Sequence, residues 1–182
     1  MPNEKGSFKI NPERSLFLNS GFTEKDANLL IKQLYDLNLK EGEIFLQMNG
    51  SGGSFAGAKK LFDNVQMSLN PVTGVVTGDA FSAIAVILQA CHKRCATKHS
   101  RIHIHNVSCP VTLTIGPDDN IIDLNELVLV ELNRVKLDNS LLINILSERM
   151  EIGKIEVKKI LDKDSTLTPK QALELRLIDE IV

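Results

Sequence analysis

Ser82 stands where a β-branched run, Val72 to Thr77, meets an apolar run, Ala83 to Ala90, across a small turn. The first run is short and bounded by Pro71 and Gly78, as a buried strand is. The second favours helix and is apolar on every side, so it belongs inside a core. A hydroxyl at the first turn of such a helix lies near unpaired backbone N–H groups and the positive end of the helix dipole, which suits a nucleophile. The ordinary use of serine at that position is capping. Acyl transfer by serine also needs a base, a carboxylate to orient the base, and donors for a developing oxyanion. The base candidate is His105, at the end of a strand that begins at Arg101; His92, His99 and His103 are its rivals. His103 shares a strand face with His105, two residues away. Asp162 and Asp164, in a connector before the last helix, are candidates for the orienting acid, with exposed loop acids as the plain alternative. Gly52 and Gly53 let a backbone approach a ligand closely and turn its N–H groups inward, though a glycine pair after a strand is also an ordinary turn.

A second chemistry has to be weighed. Cys91, Cys95 and His99 recur at four-residue spacing and could share a helix face. The cysteine pair lacks the two-residue zinc-finger spacing and no second pair completes it, so buried, unreactive thiols are expected and neither metal nor cofactor is called for. Three cysteines, an odd number in a chain of 182 residues, argue against a disulfide framework and fit a reducing compartment.

The elements that position these groups follow from periodicity. Residues 1–14 are expected to be a loose polar segment, and 15–182 a single domain, long enough for one well-buried core. Ser15 to Asn19 reads as a strand, and Thr23-Glu-Lys-Asp opens a helix whose apolar face carries Ala27, Leu29, Leu30, Ile31, Leu34 and Leu37. Glu43 to Met48 alternates as a strand does, then Asn49-Gly-Ser-Gly-Gly-Ser turns into a helix from about Phe55 to Leu69. Lys93 to Ser100 reads as a solvated loop, and Arg101 to His105 as a half-buried strand. Val111 to Asn120 suggests an exposed strand and loop, followed by a long leucine-rich helix over about 122–148. A short helix, Lys154 to Leu161, leads to the connector at Asp162, and Thr168-Pro-Lys-Gln caps a last helix. Strands alternating with helices indicate an α/β domain.

Charge narrows the function. With 23 acidic against 21 basic side chains, no broad pull toward nucleic acid or anionic membrane is indicated. No run reaches the roughly 18 apolar residues a membrane helix needs. The opening Met1 to Gly6 has no apolar region after its charges, so no secretory signal is expected and a cytoplasmic location follows.

Four stretches in order carry a resemblance: Asn49-Gly-Ser-Gly-Gly-Ser, Gly78-Asp-Ala-Phe-Ser-Ala, Ser100-Arg-Ile-His-Ile-His-Asn, and Asp162-Lys-Asp-Ser-Thr-Leu-Thr-Pro-Lys-Gln-Ala-Leu-Glu-Leu-Arg-Leu-Ile-Asp. Together they resemble the proteolytic subunit of the Clp protease, a serine peptidase family on the crotonase-like fold of repeated strand-strand-helix units, over about Ser15 to Val182. The resemblance implies Ser82 as nucleophile, His105 as general base, Asp164 as the orienting acid, and the N–H groups of Gly52 or Gly53 and of Ala83 as oxyanion donors. It also implies two stacked seven-membered rings around a chamber, with 111–148 as the strand and long helix of the ring-to-ring contact, polypeptide substrates, and a ring-shaped AAA+ ATPase that feeds them.

The chain departs from that family in several places. Gly50-Ser51 stands where Ser-Pro is usual; Phe81 replaces a small residue beside the nucleophile; Ala83-Ile84 replaces a methionine and a small residue; and Asn106-Val-Ser-Cys-Pro replaces a Gln-Pro and glycine-rich run. Lys163 stands where an arginine commonly helps link the rings, a weaker planar contact. The residues before Ser15 are too few and too unlike the family's pore loops for ATPase docking to be assumed. A divergent relative of the phage or prophage kind fits these departures. The rivals are a catalytically silent ring subunit and a crotonase-fold enzyme acting on acyl thioesters.

Overall fold

A computed structural model describes residues 8–110 and 121–182; for Ser20 and residues 121–124 it gives the backbone alone. The strand expected from Val111 to Asn120 and residues 1–7 of the segment expected to be loose lie outside the described residues.

Three long parallel strands, β1 (Ser15–Phe22), β2 (Ile44–Gly53) and β3 (Val72–Phe81), each lead into a helix: α1 (Glu24–Asn38), α2 (Phe55–Gln66) and α3 (Ala83–Ala90). Helices α1 and α2 start where short polar side chains satisfy free N–H groups: Thr23 and Asp26 form a reciprocal capping box, and Ser54 accepts from Gly57 N–H. Ile44, Phe45, Leu46 and Met48 are all buried, as expected of a strand covered on both faces. One face carries the main core, with Leu34, Leu61, Ile87 and Leu146 at its centre. The other carries a small cluster of Phe45, Val75 and Cys95, closed by Phe8, Ile10 and Val182. Residues 8–14 are therefore docked rather than loose: Phe8 and Ile10 cover the sheet, and Pro12–Arg14 forms a 3-10 turn. Arg14 donates to the carbonyl oxygens of Leu37, Gly42 and Glu43.

A second difference lies after α3. The stretch read as a solvated loop contains a strand, β4 (Lys93–Ala96), parallel to β3, with Arg94, Cys95 and Ala96 buried. Charge hid it, because Arg94 looks solvated in sequence yet is only 5% exposed. It bonds Asp179 through its backbone N–H at 2.8 Å and its Nε at 3.1 Å, and donates to Gln89 at 2.8 Å. Gln89 in turn donates to the Leu177 carbonyl. The tail of the chain, ending in β7 (Glu180–Ile181) on the edge of β4, is thereby fastened to α3.

The sheet forks at the end of β3. Thr73 to Val76 pair with β4, whereas Asp79 to Phe81 pair with β5 (Arg101–Ile104). Part of the presumed connector is a strand, β6 (Ser165–Leu167), antiparallel to β5 with His103 opposite Thr166. The long helix α4 (Ile121–Met150) has 30 residues, about 45 Å at 1.5 Å each. Its C-terminal part buries Leu142, Leu146 and Met150, while Leu127, Leu129, Val130, Leu132 and Leu137, nearer its N-terminus, are exposed. Lys59 of α2 pairs with Asp138 at 2.6 Å. Then come α5 (Lys154–Asp162) and α6 (Pro169–Glu174), the latter opened by the Thr168–Gln171 capping box. Among the described residues, no helix is long and apolar enough to cross a membrane.

Candidate active site

Ser82 sits at the fork, the last residue before α3. Its backbone has φ +55° and ψ −120°, a conformation that L-residues adopt only when their surroundings enforce it. The enforcement is visible. Its N–H donates to the His103 carbonyl at 2.8 Å, its own carbonyl accepts from Val86, and all eight residues of α3 are buried. The hydroxyl makes no capping bond. Instead, Oγ lies 2.9 Å from Nε2 of His105.

The protonation of His105 follows from its other nitrogen. Nδ1 is 2.7 Å from the carbonyl oxygen of Asn106, which can only accept, so Nδ1 carries the proton. In its neutral form His105 then presents a lone pair on Nε2 to which the Ser82 hydroxyl can donate. That is the state a general base needs, at hydrogen-bonding distance.

Gly52 and Gly53 stand on the other side of Ser82, at φ +100° and +147°. A Cβ on Gly52 would lie 2.7 Å from Ser82 Cβ and 2.9 Å from the Phe81 carbonyl oxygen; on Gly53 it would run into the Phe22 backbone. Both positions need glycine for space as well as for conformation. The N–H of Ala83, first residue of α3, has no acceptor within its helix. Beside the serine is a cavity of about 180 Å³ walled by Phe55, Ala83, Val86, Ile104, Val107 and Leu142, with Gly53 and His105 at its polar side.

The acids stand elsewhere. Asp164 Oδ1 is 2.9 Å from Nε2 of His103, not on His105, and its side chain is 67% exposed. His103 is well placed to take it: Thr166, its cross-strand partner, meets Nδ1 at 3.1 Å and leaves Nε2 facing the carboxylate. Asp164 has φ +49° just before β6. The His103 and His105 rings are 5.4 Å apart, and the Phe81 ring lies 5.4 Å from His103 on its other side. Asp162 accepts from the Asn106 side-chain amide at 2.9 Å and from Lys158 at 3.0 Å. The Asn106 hydrogen bond, then Lys158, holds its carboxyl below the usual carboxylate value.

Of the other candidates, His92 Nδ1 accepts from the Val72 N–H and helps seat β3, and His99 is exposed. Cys91 packs in the main core and Cys95 in the small cluster. Burial pushes their thiols up to about 12 and about 11, so both stay protonated and poor as ligands or nucleophiles at neutral pH.

This arrangement can be set beside known proteins. The model of the Clp protease family matches residues 5–182. The chain is 30% identical over 178 residues to the ATP-dependent Clp protease proteolytic subunit 1 of Chlamydia muridarum, covering 96% of this chain and 88% of that protein. It is 31% identical over 173 residues to the protein of the same name from Chlamydia pneumoniae, covering 93% and 86%. This chain belongs to the Clp protease family. The parallel-dominated sheet with its helices is accordingly the crotonase-like fold of Clp proteolytic subunits, and the family supports a peptidase.

Sequence reasoning missed one group that acts through its backbone and two side chains brought in from distant elements. The Asn106 carbonyl leaves no trace in residue type. Thr166 and Asn139, which contact His103 and the segment after His105, show their partners only once the strands and α4 are in place.

Proposed function

We propose that this chain is a serine endopeptidase of unfolded or small polypeptides. The observation that carries the reading is the contact between a non-capping Ser82 and Nε2 of His105, 2.9 Å apart. Ser82 Oγ attacks the scissile carbonyl as its proton passes to His105 Nε2; the new oxyanion is met by N–H groups of Gly52 or Gly53 and of Ala83. His105 then gives the proton to the leaving amine, and the acyl-enzyme is released by water in the same two steps reversed. The cavity beside Ser82 has a mixed lining, apolar side chains on one hand and Ser108, His105 and Gly53 on the other, and can take the side chain that precedes the cut bond.

Ring assembly belongs to the same proposal. The exposed Leu127, Leu129, Val130, Leu132 and Leu137 on α4 are an apolar surface that an opposing ring would cover, as in the family's stacked heptamers. The relatives' names say ATP-dependent, which supports an AAA+ partner for this chain too. A second reading, a catalytically silent ring subunit, is favoured by one observation: Asp164, the family's orienting acid, is engaged by His103.

Fluorophosphonate labelling of the assembled protein separates the two. Labelling of the parent that falls to background in Ser82→Ala, with the oligomer unchanged, supports the peptidase. A parent that assembles and is not labelled supports the silent subunit, and labelling that survives Ser82→Ala removes Ser82 from the reaction.

A further inference from the structure

The cavity beside Ser82 takes its walls from three separate pieces of chain: Phe55 at the start of α2, Val107 and Ser108 after β5, and Leu142 on α4. Its volume of about 180 Å³ is close to the roughly 150 Å³ of an apolar cavity that takes one benzene ring, so small changes in wall spacing decide which side chain fits. Residues 105–110 lie in no strand, and Val107 is half-buried, so this wall needs holding from elsewhere. The holding groups are neighbours on α4. Val135, Leu142, Leu146 and Met150 form an apolar stripe along that helix, and the residue in the gap between the first two is Asn139. An amide in such a stripe costs stability unless its polar atoms are met. All are met: Oδ1 accepts from the Val107 N–H at 2.8 Å, and Nδ2 donates to the carbonyls of Val107 at 2.9 Å and of Val135 at 3.0 Å. Asn139 thus pairs with both polar groups of Val107 as a neighbouring strand would, and ties that wall to the helix that carries Leu142. The adjacent Asp138 has a side chain only 15% exposed and pairs with Lys59 of α2 at 2.6 Å. Lys59 stands one turn after Phe55, with Nζ 5.5 Å from the centre of the Phe55 ring. The same turn of α4 is thereby tied to the third wall.

Resting on the peptidase reading of Ser82 and His105, we propose that Asp138, Asn139 and Lys59 are positioning residues for the substrate: they clamp the three walls of the cavity at one spacing and so set which side chain is accepted before the cut bond. The Lys59–Asp138 bridge is not an exposed pair that water dissolves, since without Lys59 the Asp138 carboxylate would be left largely buried and unpaired. The Asn139 bonds act on the opposite wall from the next residue of the same turn. The bonds of all three go to the cavity walls and between the helices, whereas Ser82 bonds to His105. Selection of the side chain is therefore separable from the chemistry at the serine.

The test is steady-state cleavage, by the assembled full chain, of fluorogenic peptides that differ only in the residue before the cut bond: alanine, leucine or phenylalanine. A methyl fluorophosphonate, too small to fill the cavity, reports on Ser82 and His105 in the same samples. In Asn139→Ala, kcat/KM for the leucine peptide is expected to fall about 10-fold relative to the alanine peptide, mostly through KM, the scale on which a pocket distinguishes a methylene or two. Labelling is expected to stay within about threefold of the parent, because the reacting groups are unchanged. Lys59→Ala frees the Phe55 ring and is expected to raise the phenylalanine-to-leucine ratio about fivefold, while Lys59→Arg keeps both contacts and is expected to hold the parental ratio within about twofold. Should Asn139→Ala fail to fold, Asn139→Asp, which keeps the acceptor and loses the donor, gives the same relative loss. Parental ratios in folded Asn139→Ala and Lys59→Ala overturn the proposal. So does a loss in Asn139→Ala that is equal for all three peptides and for labelling, which would assign Asn139 to the chemistry and not to the cavity. Labelling that survives Ser82→Ala overturns the peptidase reading and the proposal with it, and is told apart because no clamp residue is changed in that variant.

Discussion

Ser82 and Asp164 both carry left-handed backbone, at φ +55° and +49°, yet their surroundings differ sharply. Ser82 is gripped by the end of β3, by the N-terminus of a fully buried helix and by the Gly52 backbone, and its N–H is tied to β5. Asp164 stands two-thirds exposed on a connector, and its carboxylate is held by one histidine. The nucleophile is thus placed by the core itself, where a displacement would disturb many packed atoms at once. The acid is placed by a bond that water competes for. The nucleophile is thus fixed by packing, and the acid by contacts on the β5–β6 edge.

The sharpest way to break that contrast is to disturb the packed side. In Gly52→Ala the new methyl would meet the Ser82 Cβ and the Phe81 carbonyl oxygen below 3 Å, at a φ of +100° that alanine tolerates poorly. Backbone strain of about 1–3 kcal/mol has to be relieved by moving the very peptide expected to donate to the oxyanion. Labelling at Ser82 is expected to fall at least about 100-fold, the scale of losing one oxyanion donor. Labelling within threefold of the parent would show that Gly52 is a plain turn residue.

A smaller effect is expected one layer out. Arg94, buried, links Asp179 near the tail to Gln89 on the nucleophile helix. Burial pushes the Asp179 carboxyl up, but its hydrogen bonds from the Arg94 side chain and backbone outweigh that, and the net value is lowered. A carboxyl lowered in the folded state contributes stability above its unfolded value, and that contribution is lost as pH falls through the folded one. Chemical denaturation should therefore show a loss of stability below pH about 4 that Asp179→Asn no longer shows. At pH 7 the same substitution is expected to cost about 2–3 kcal/mol, toward the low end for a broken buried pair because Asp179 is itself partly exposed. Equal acid sensitivity in the parent and in Asp179→Asn would assign the effect to other groups.

The same division between packed and exposed parts explains what could be read from sequence. Val72 to Ala90 and Arg101 to His105 were legible because burial imposes residue types and periods along a continuous stretch. Thr23 and Thr168 were legible as caps because a cap is satisfied within three residues. Strand β4 was not, since the acid that pairs with buried Arg94 is Asp179, 85 residues away. Nor was the docking of Phe8 and Ile10, whose partners Phe45 and Cys95 lie on separate strands. At the site, His105 could be singled out by its place at a strand end, but its orientation depends on a carbonyl, which every residue has. Asp162 and Asp164 were told apart by family resemblance alone. Their partners, Asn106 and His103, were decided by which side chain of β5 or its extension each connector acid meets.

The gentlest probe sits on the exposed side. Thr166→Val removes the hydroxyl that meets Nδ1 of His103 while keeping a β-branched side chain opposite it in the β5–β6 pair. The bond is exposed, so stability should fall by no more than about 1 kcal/mol. If the His103–Asp164 pair is only an edge contact, as its exposure suggests, labelling at Ser82 should change less than about threefold, because the chain from Ser82 through His105 to Asn106 includes neither residue. A rise of tenfold or more would mean that Thr166 holds His103 in a place where it keeps Asp164 from the base. The exposed half would then restrain the packed half, and the two regions would be coupled through the neighbouring imidazoles rather than independent.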